Sequence, residues 1–491
     1  MPRFTAEVLP PTPTTPQSAM PIPITHSTSI ELHDRVPPPA DLNLPPTTTH
    51  LSKRRTIIPR SNENLHPDDT YDATLNRAAS LGRSVRSGKN VEGGEWDREK
   101  RRAEHFRTIG KLNWIVRAVI FFALAILAVY VWYFGWEKEA VKYKFCQVLN
   151  EDFNGGDIDR NTWFFERQVG GFGTGEFDWT TDDSQNAFIR NGKLHIVPTF
   201  TSDTFGEDAV MGGATLNLTT DGVCTGTKES DCSISSNSTN GTMGILPPIQ
   251  SARLTTKNSV SIRYGKVEVR AKMPKGDWLW PAIWLMPKDS VYGEWPASGE
   301  IDIAESRGND RTYSYGGRDK IGATLHWGPL EGDPPLNQFW RTTNEYQLRR
   351  GTYDEGFHTF GMVWTPERIF MYVDTPLRQS LSIPLGDFWT WGNFPETYWN
   401  GTEVKNPWYI SEGPAPFDQE FYLILNVAVG GTNQYFPDGI GGKPWTNKGS
   451  RGQAMKDFWE QRTRWLKTWP KEPENRGMVV ESVKMWRICG M

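Results

Sequence analysis

The chain has 491 residues, of which 12% are aromatic and 23% charged, with 54 Lys and Arg against 58 Asp and Glu and a formal net charge of −4. That length leaves room for more than one domain. The near-balanced charge, with the basic clusters "KRR" at 53–55 and "REKRR" at 98–102 confined to the first 102 residues, argues against nucleic-acid recognition and for topology or anionic-lipid contact.

Residues 1–60 hold 13 prolines mixed with Ser and Thr and no periodic apolar pattern. Such a segment cannot bury enough apolar surface to offset its ordering entropy, so 1–95 is expected to be a disordered tail. A basic segment follows at 96–117, and then "AVIFFALAILAVYVWYFGW" at 118–136, nineteen residues without a charge. At ~1.5 Å per residue this stretch reaches ~28 Å, the length of one transmembrane helix. A cleaved signal peptide would stand at the N-terminus with a shorter apolar core. Seven Lys or Arg lie in 98–117 against three in 137–156, which predicts a single-pass type II arrangement: tail in the cytosol, the rest lumenal or extracellular on a short stalk over 137–145.

The four N-x-S/T sequons, at Asn217, Asn237, Asn240 and Asn400, all follow the helix and are candidate glycosylation sites. So do the four cysteines. Cys224 and Cys232 bracket the short polar loop "CTGTKESDC", which leaves Cys146 for Cys489; free buried thiols are the alternative.

From 146 to 491, short alternating runs such as "GKVEVRAKM", "RIFMYVD" and "FYLILNVAVGG" are separated by Gly, Pro and Asn/Asp turns. The pattern predicts an all-β fold, an antiparallel sandwich or jelly roll. "RGQAMKDFWEQRTRWLKTW", 451–469, is the best helical candidate. "GGFGTGE" at 170–176 lacks the dinucleotide-loop spacing and is expected to be a cleft loop. His195, His326 and His358 lie far apart, so no zinc motif is present, and there is no G-x-S-x-G elbow. Of the 22 tryptophans, 18 follow the apolar stretch; most are expected to be core, while flat aromatic faces near the acids suit sugar rings.

The acids stand in "WPASGEIDIAESRGND" at 295–310. On a regular strand Glu300 and Asp302 share a face and Glu305 points away. A β-bulge at Ile303-Ala304 restores Glu305 to the shared face. Two carboxyls about 5 Å apart suit a retaining glycosidase, and the middle Asp302 can hydrogen-bond the nucleophile and set unequal protonation. An exposed acidic strand or a calcium site is the bland alternative.

E-x-D-x-x-E, with "EDFNGGDIDRNTW", "NGKLHIVPT", "WPAIWLMP", "FHTFGMVWTPERIFMYVD", "LILNVAVGG" and "ESVKMWRI" in order, resembles a family 16 glycoside hydrolase of the laminarinase-like, β-1,3-glucanase type over the whole region 146–491. The resemblance implies a β-jelly roll of the concanavalin A-like lectin/glucanase kind, with Glu300 as nucleophile, Asp302 its assistant and Glu305 as acid/base. It further implies β-glucan as polysaccharide partner and no cofactor or metal. Trp295 resembles the aromatic floor beside the cleaved bond, and Trp280 and Trp284 the neighbouring strand, with Trp284 more suited to the core. His326 in "LHWG" resembles a cleft histidine, core packing being its other reading. The tail and apolar helix resemble membrane-bound glucan-synthesis-associated proteins of fungal walls, which makes a transglycosylase one alternative. A non-catalytic glucan-binding receptor is the other, and such receptors typically lack the acids.

Overall fold

The structure is a computed structural model that describes residues 92–236, 244–330, 336–411 and 413–490. Most of the expected tail, 1–91, and the sequons at Asn237 and Asn240 lie outside the described residues. Residues 92–95, assigned above to the tail, instead begin a 51-residue helix, Glu92–Lys142. The reason is local: the last proline before it is Pro67, and "EGGEWDREKRRAEHF" is dominated by good helix formers. Within it, Asn113–Val131 is long and apolar enough to cross a membrane, and none of this stretch is buried against the protein. The helix also consumes most of the expected stalk, because only Tyr143 and Lys144 separate Lys142 from the first strand, Phe145–Glu151.

Beyond the helix the chain forms a sandwich of two antiparallel eight-stranded sheets. The outer sheet runs Gln379–Pro384, Arg368–Val373, His358–Trp364, Gly265–Lys272, Met478–Ile488, Leu194–Ile196 and Ala187–Ile189, with Phe145–Glu151 also paired to Met478–Ile488. The inner sheet runs Thr343–Gln347, Lys320–His326, Glu300–Glu305, Leu279–Pro287, Phe421–Val429, Arg253–Thr255 and Phe164–Phe165, with Ser261–Ile262 also on Phe421–Val429. This is the β-jelly roll.

Period-two patterning places the core between the sheets. On Gly265–Lys272, Val267, Val269 and Ala271 are fully buried while Lys266, Glu268 and Arg270 retain solvent contact. Leu279, Ile283, Leu285, Ile301, Leu423, Leu425 and Val427 meet them from the inner sheet, and Trp364 packs edge-on against Phe421 across the gap at 5.5 Å. Each such aliphatic side chain stabilises the fold by about 1.5–3 kcal/mol relative to exposure.

The C-terminal helical candidate forms, but in pieces: Arg451–Glu460, Arg462–Trp465 and a 3-10 turn, Leu466–Thr468. Ser450 caps the first piece, its hydroxyl accepting from the Gln453 N–H at 3.2 Å. Arg451 reaches out to donate to the carbonyls of Glu176 and Val169, each at 2.7 Å. It thereby ties the loop at 170–176 to this helix.

Candidate active site

The bulge lies at the position that the spacing of the acids demands. Against Leu279–Pro287, Trp284 pairs with Asp302 but Ile283 pairs with Ala304, and Ala282 with Glu305. Against Lys320–His326, Asp302 pairs with Thr324 and Glu305 with Gly322. Ile303 is therefore an extra residue on both sides, and the step from Asp302 to Glu305 spans only two residues of each neighbour. Ile301, Ile303 and Ala304 are buried, while Glu300, Asp302 and Glu305 share the other face.

The three carboxyls have different surroundings. Glu300 Oε2 accepts from the Trp295 indole N–H at 2.5 Å. Glu305 Oε1 accepts from the Trp280 N–H at 2.7 Å. Asp302, only 2% exposed, lies between them. Burial holds the Asp302 carboxyl well above the usual range, and the neighbouring Glu300 charge and hydrogen bond raise it further. Burial, then Asp302, push Glu305 up to about 8, with the Trp280 N–H pulling the other way. A carboxyl still protonated at neutral pH is able to donate a proton to a leaving oxygen.

The tryptophans divide differently from expectation. Trp280 is 8% exposed. One face is stacked on Tyr435 at 4.0 Å, and Arg307 covers Tyr435 in turn, its guanidinium 4.0 Å from the ring while donating to the Tyr435 carbonyl. Trp280 is thus a holder of Glu305 rather than an open platform. Trp284 is not in the core. Ile283 and Leu285 take the buried face, so parity sets Trp284 beside Asp302, half-buried, with its N–H on Asn426 Oδ1 at 2.8 Å. Arg253 lies against both the Trp284 and Phe172 rings, at 4.6 and 4.1 Å, and pairs with Glu166 at 2.5 Å. Phe172 belongs to the loop at 170–176, so that loop borders the acid-bearing face.

His326 opposes Glu300 across the strand pair. Its Nε2 is 3.3 Å from Asp302 Oδ2, and its Nδ1 is 2.8 Å from Asn337 Nδ2. An amide nitrogen only donates, so Nδ1 accepts and the ring proton sits on Nε2. Glu300, Asp302 and His326 bring ligand atoms within 4.8 Å of one another. His195 and His358 lie on the outer sheet, apart from these three.

The remaining predicted residues lie elsewhere. Cys146 is joined to Cys489 and Cys224 to Cys232, with Cα separations of 5.4 and 5.5 Å. Asn400 is exposed and Asn217 half-buried, their side-chain oxygens accepting backbone N–H groups two residues on. Sequence reasoning missed Asn337, Arg307, Tyr435, Asn426 and Arg253. Arg253 left a signal in the alternation of "ARLT", and Asn426 one as the lone amide within "FYLILNVAVGG".

A sequence model of the glycosyl hydrolases family 16 matches residues 215–397. The chain is also 41% identical over 351 residues to a β-1,3-glucan-binding protein of Penaeus monodon, covering 70% of this chain and 90% of that protein. The chain belongs to glycosyl hydrolases family 16. A second relative, a glucan endo-1,3-β-glucosidase of Cryptopygus antarcticus, is 31% identical over 311 residues, covering 63% of this chain and 87% of its own length. Among solved structures, the laminarinase of Rhodothermus marinus is 24% identical with a TM-score of 0.41, covering 70% of this chain and 98% of that one. In this family 16 domain the E-x-D-x-x-E acids are all present.

Proposed function

We propose that the domain is a retaining β-1,3-glucanase, endo-acting, with Glu300 as nucleophile and Glu305 as acid/base. The observation that carries this reading is the unequal setting of two glutamates on one bulged strand, one of them raised to about 8 by burial and by Asp302. Glu300 attacks the anomeric carbon as the Glu305 proton passes to the departing oxygen and the glycosidic C–O bond breaks. Glu305, now ionised, takes a proton from the water or sugar hydroxyl that opens the glycosyl ester. Neutral Asp302 donates a hydrogen bond to Glu300 without adding a second negative charge beside it. Trp295 and Trp284, both half-buried, offer ring faces to sugar CH groups.

β-1,3-Glucan as substrate is supported by the names of both relatives, one a binder and one an endo-1,3-β-glucosidase. The binder's 41% identity favours a second reading, a receptor without turnover. The presence of both glutamates favours the enzyme. Anchoring by the apolar helix, with the domain lumenal or extracellular, is supported by the excess of Lys and Arg over 98–117, and places the work on glucan near a membrane. The test incubates the protein with reduced β-1,3-oligosaccharides, a β-1,4 series and a galactan, and sizes the products. Shorter β-1,3 products are expected, and longer ones assign a remodelling transglycosylase. Cleavage confined to the other series overturns the substrate, and binding without turnover establishes the receptor.

A further inference from the structure

The surroundings of Asn337 fix the direction of a proton at the centre of the site. Asn337 is 8% exposed. Its Oδ1 accepts from the backbone N–H groups of Trp327 and Phe339, at 3.3 and 3.1 Å. Those two donors settle which end of the amide is oxygen, so Nδ2 must be the atom facing His326 Nδ1 at 2.8 Å. Gly328 makes the close approach possible, since a Cβ there would lie 2.4 Å from the Leu336 carbonyl oxygen. Phe339 stacks on the imidazole at 5.3 Å, restricting its rotation.

We infer that Asn337 is a positioning residue that holds His326 in the Nε2–H form and so directs the proton of Asp302 toward Glu300. The inference rests on the reading of Glu300 as nucleophile. Asp302 Oδ2, buried and without a formed hydrogen bond, has His326 Nε2 at 3.3 Å. With a hydrogen on Nε2, Oδ2 meets a donor and finds no lone pair there, so the acid proton of Asp302 is kept off Oδ2 and sits on its other oxygen. That proton then serves the Glu300 carboxylate. Were the imidazole in the opposite tautomer, Nε2 would offer a lone pair and draw the Asp302 proton to Oδ2. Glu300 would then face a bare oxygen in place of a donor. No bond is made or broken; the effect is on where one hydrogen rests before the nucleophile attacks.

Nitrogen-15 NMR of the His326 ring in wild-type protein, at a pH where the ring is neutral, reads the tautomer directly. Nε2–H is expected, and a ring carrying its proton on Nδ1 overturns the inference whatever the catalytic outcome. Asn337→Asp keeps the oxygen for the two backbone donors but replaces Nδ2 by an acceptor. It should therefore move the ring proton to Nδ1, lower kcat by about ten- to a hundredfold with KM little changed, and shift the pH–rate profile. Phe339→Leu, which touches neither ring nitrogen, should leave the tautomer as it is. A swapped tautomer in Asn337→Asp with unaltered kcat and pH profile also overturns the inference. If Asn337→Asp does not fold, the wild-type spectrum alone decides. Failure of the underlying reading appears separately, as a folded Glu300→Gln protein with undiminished turnover.

Discussion

Glu305 links function and stability through one proton. Its folded pKa of about 8 stands above the ordinary 4.5, so the folded protein binds this proton more tightly than the unfolded chain does. The associated stability is fully present below pH 4.5 and is lost as pH rises through about 8. Glu305→Gln, which cannot ionise, should match the wild type in thermal melts near pH 4 and exceed its Tm near pH 9; equal melting at both pH values would show that the carboxyl is not raised. Activity should fall over the same alkaline range, because the acid must carry its proton. The Trp280 N–H lowers the Glu305 pKa. Trp280→Phe should therefore move the alkaline limb of the pH–rate profile upward, and a downward move would contradict the assigned hydrogen bond. Glu300→Gln keeps the shape of the proposed nucleophile but not its charge, and should reduce glucan cleavage by orders of magnitude at unchanged stability.

At the scale of elements, the bulged strand is where sequence and chemistry meet. Removing Ile303 would restore regular alternation and leave Glu305 two positions after Asp302, on the face it already shares with Glu300 and Asp302. Loss of the buried Ile303 side chain should lower the denaturation midpoint, but the deletion variant should still fold and cleave glucan measurably, and a folded, inactive variant would mean that the bulge does more than restore parity. The bulge was legible because three acids with one residue too many break a period of two. The strands around it were legible for the same reason. Trp284 was misread because Leu279–Pro287 is apolar on both faces and carries no visible parity. The break after Glu460 was hidden too, since the apolar spacing continues across it while Trp465 folds back to donate to the Phe458 carbonyl at 3.0 Å. Asn337 and Tyr435 were invisible for a different reason. Each meets its site partner across loops, Tyr435 lying 128 residues from Arg307, and short-range pattern carries no record of such meetings.

In the whole molecule, both ends of the sandwich meet at one place. Phe145–Glu151 leaves the long helix after two residues and pairs along Met478–Ile488, Cys146 opposite Arg487, and the Cys146–Cys489 disulfide spans 343 positions. The Tyr143 hydroxyl, just past the helix, donates to the Glu367 carboxylate at 2.7 Å. A bond closing so long a loop removes much of the unfolded chain's freedom, and in the loop-entropy model it contributes about 6 kcal/mol. Since the pair lies on the outer sheet and the acids on the inner one, its loss should act on stability and not on chemistry. The double variant Cys146→Ala, Cys489→Ala is expected to lower the free energy of unfolding by up to that amount, read as a lower urea midpoint, while kcat on β-1,3-glucan stays within about twofold of wild type, a change near the noise of such measurements. Cys224→Ala with Cys232→Ala closes only 8 positions, and should cost less. If the two double variants unfold at the same urea concentration, loop length is not what the long-range disulfide contributes, and the pairing of the first strand with the last already holds the ends without it.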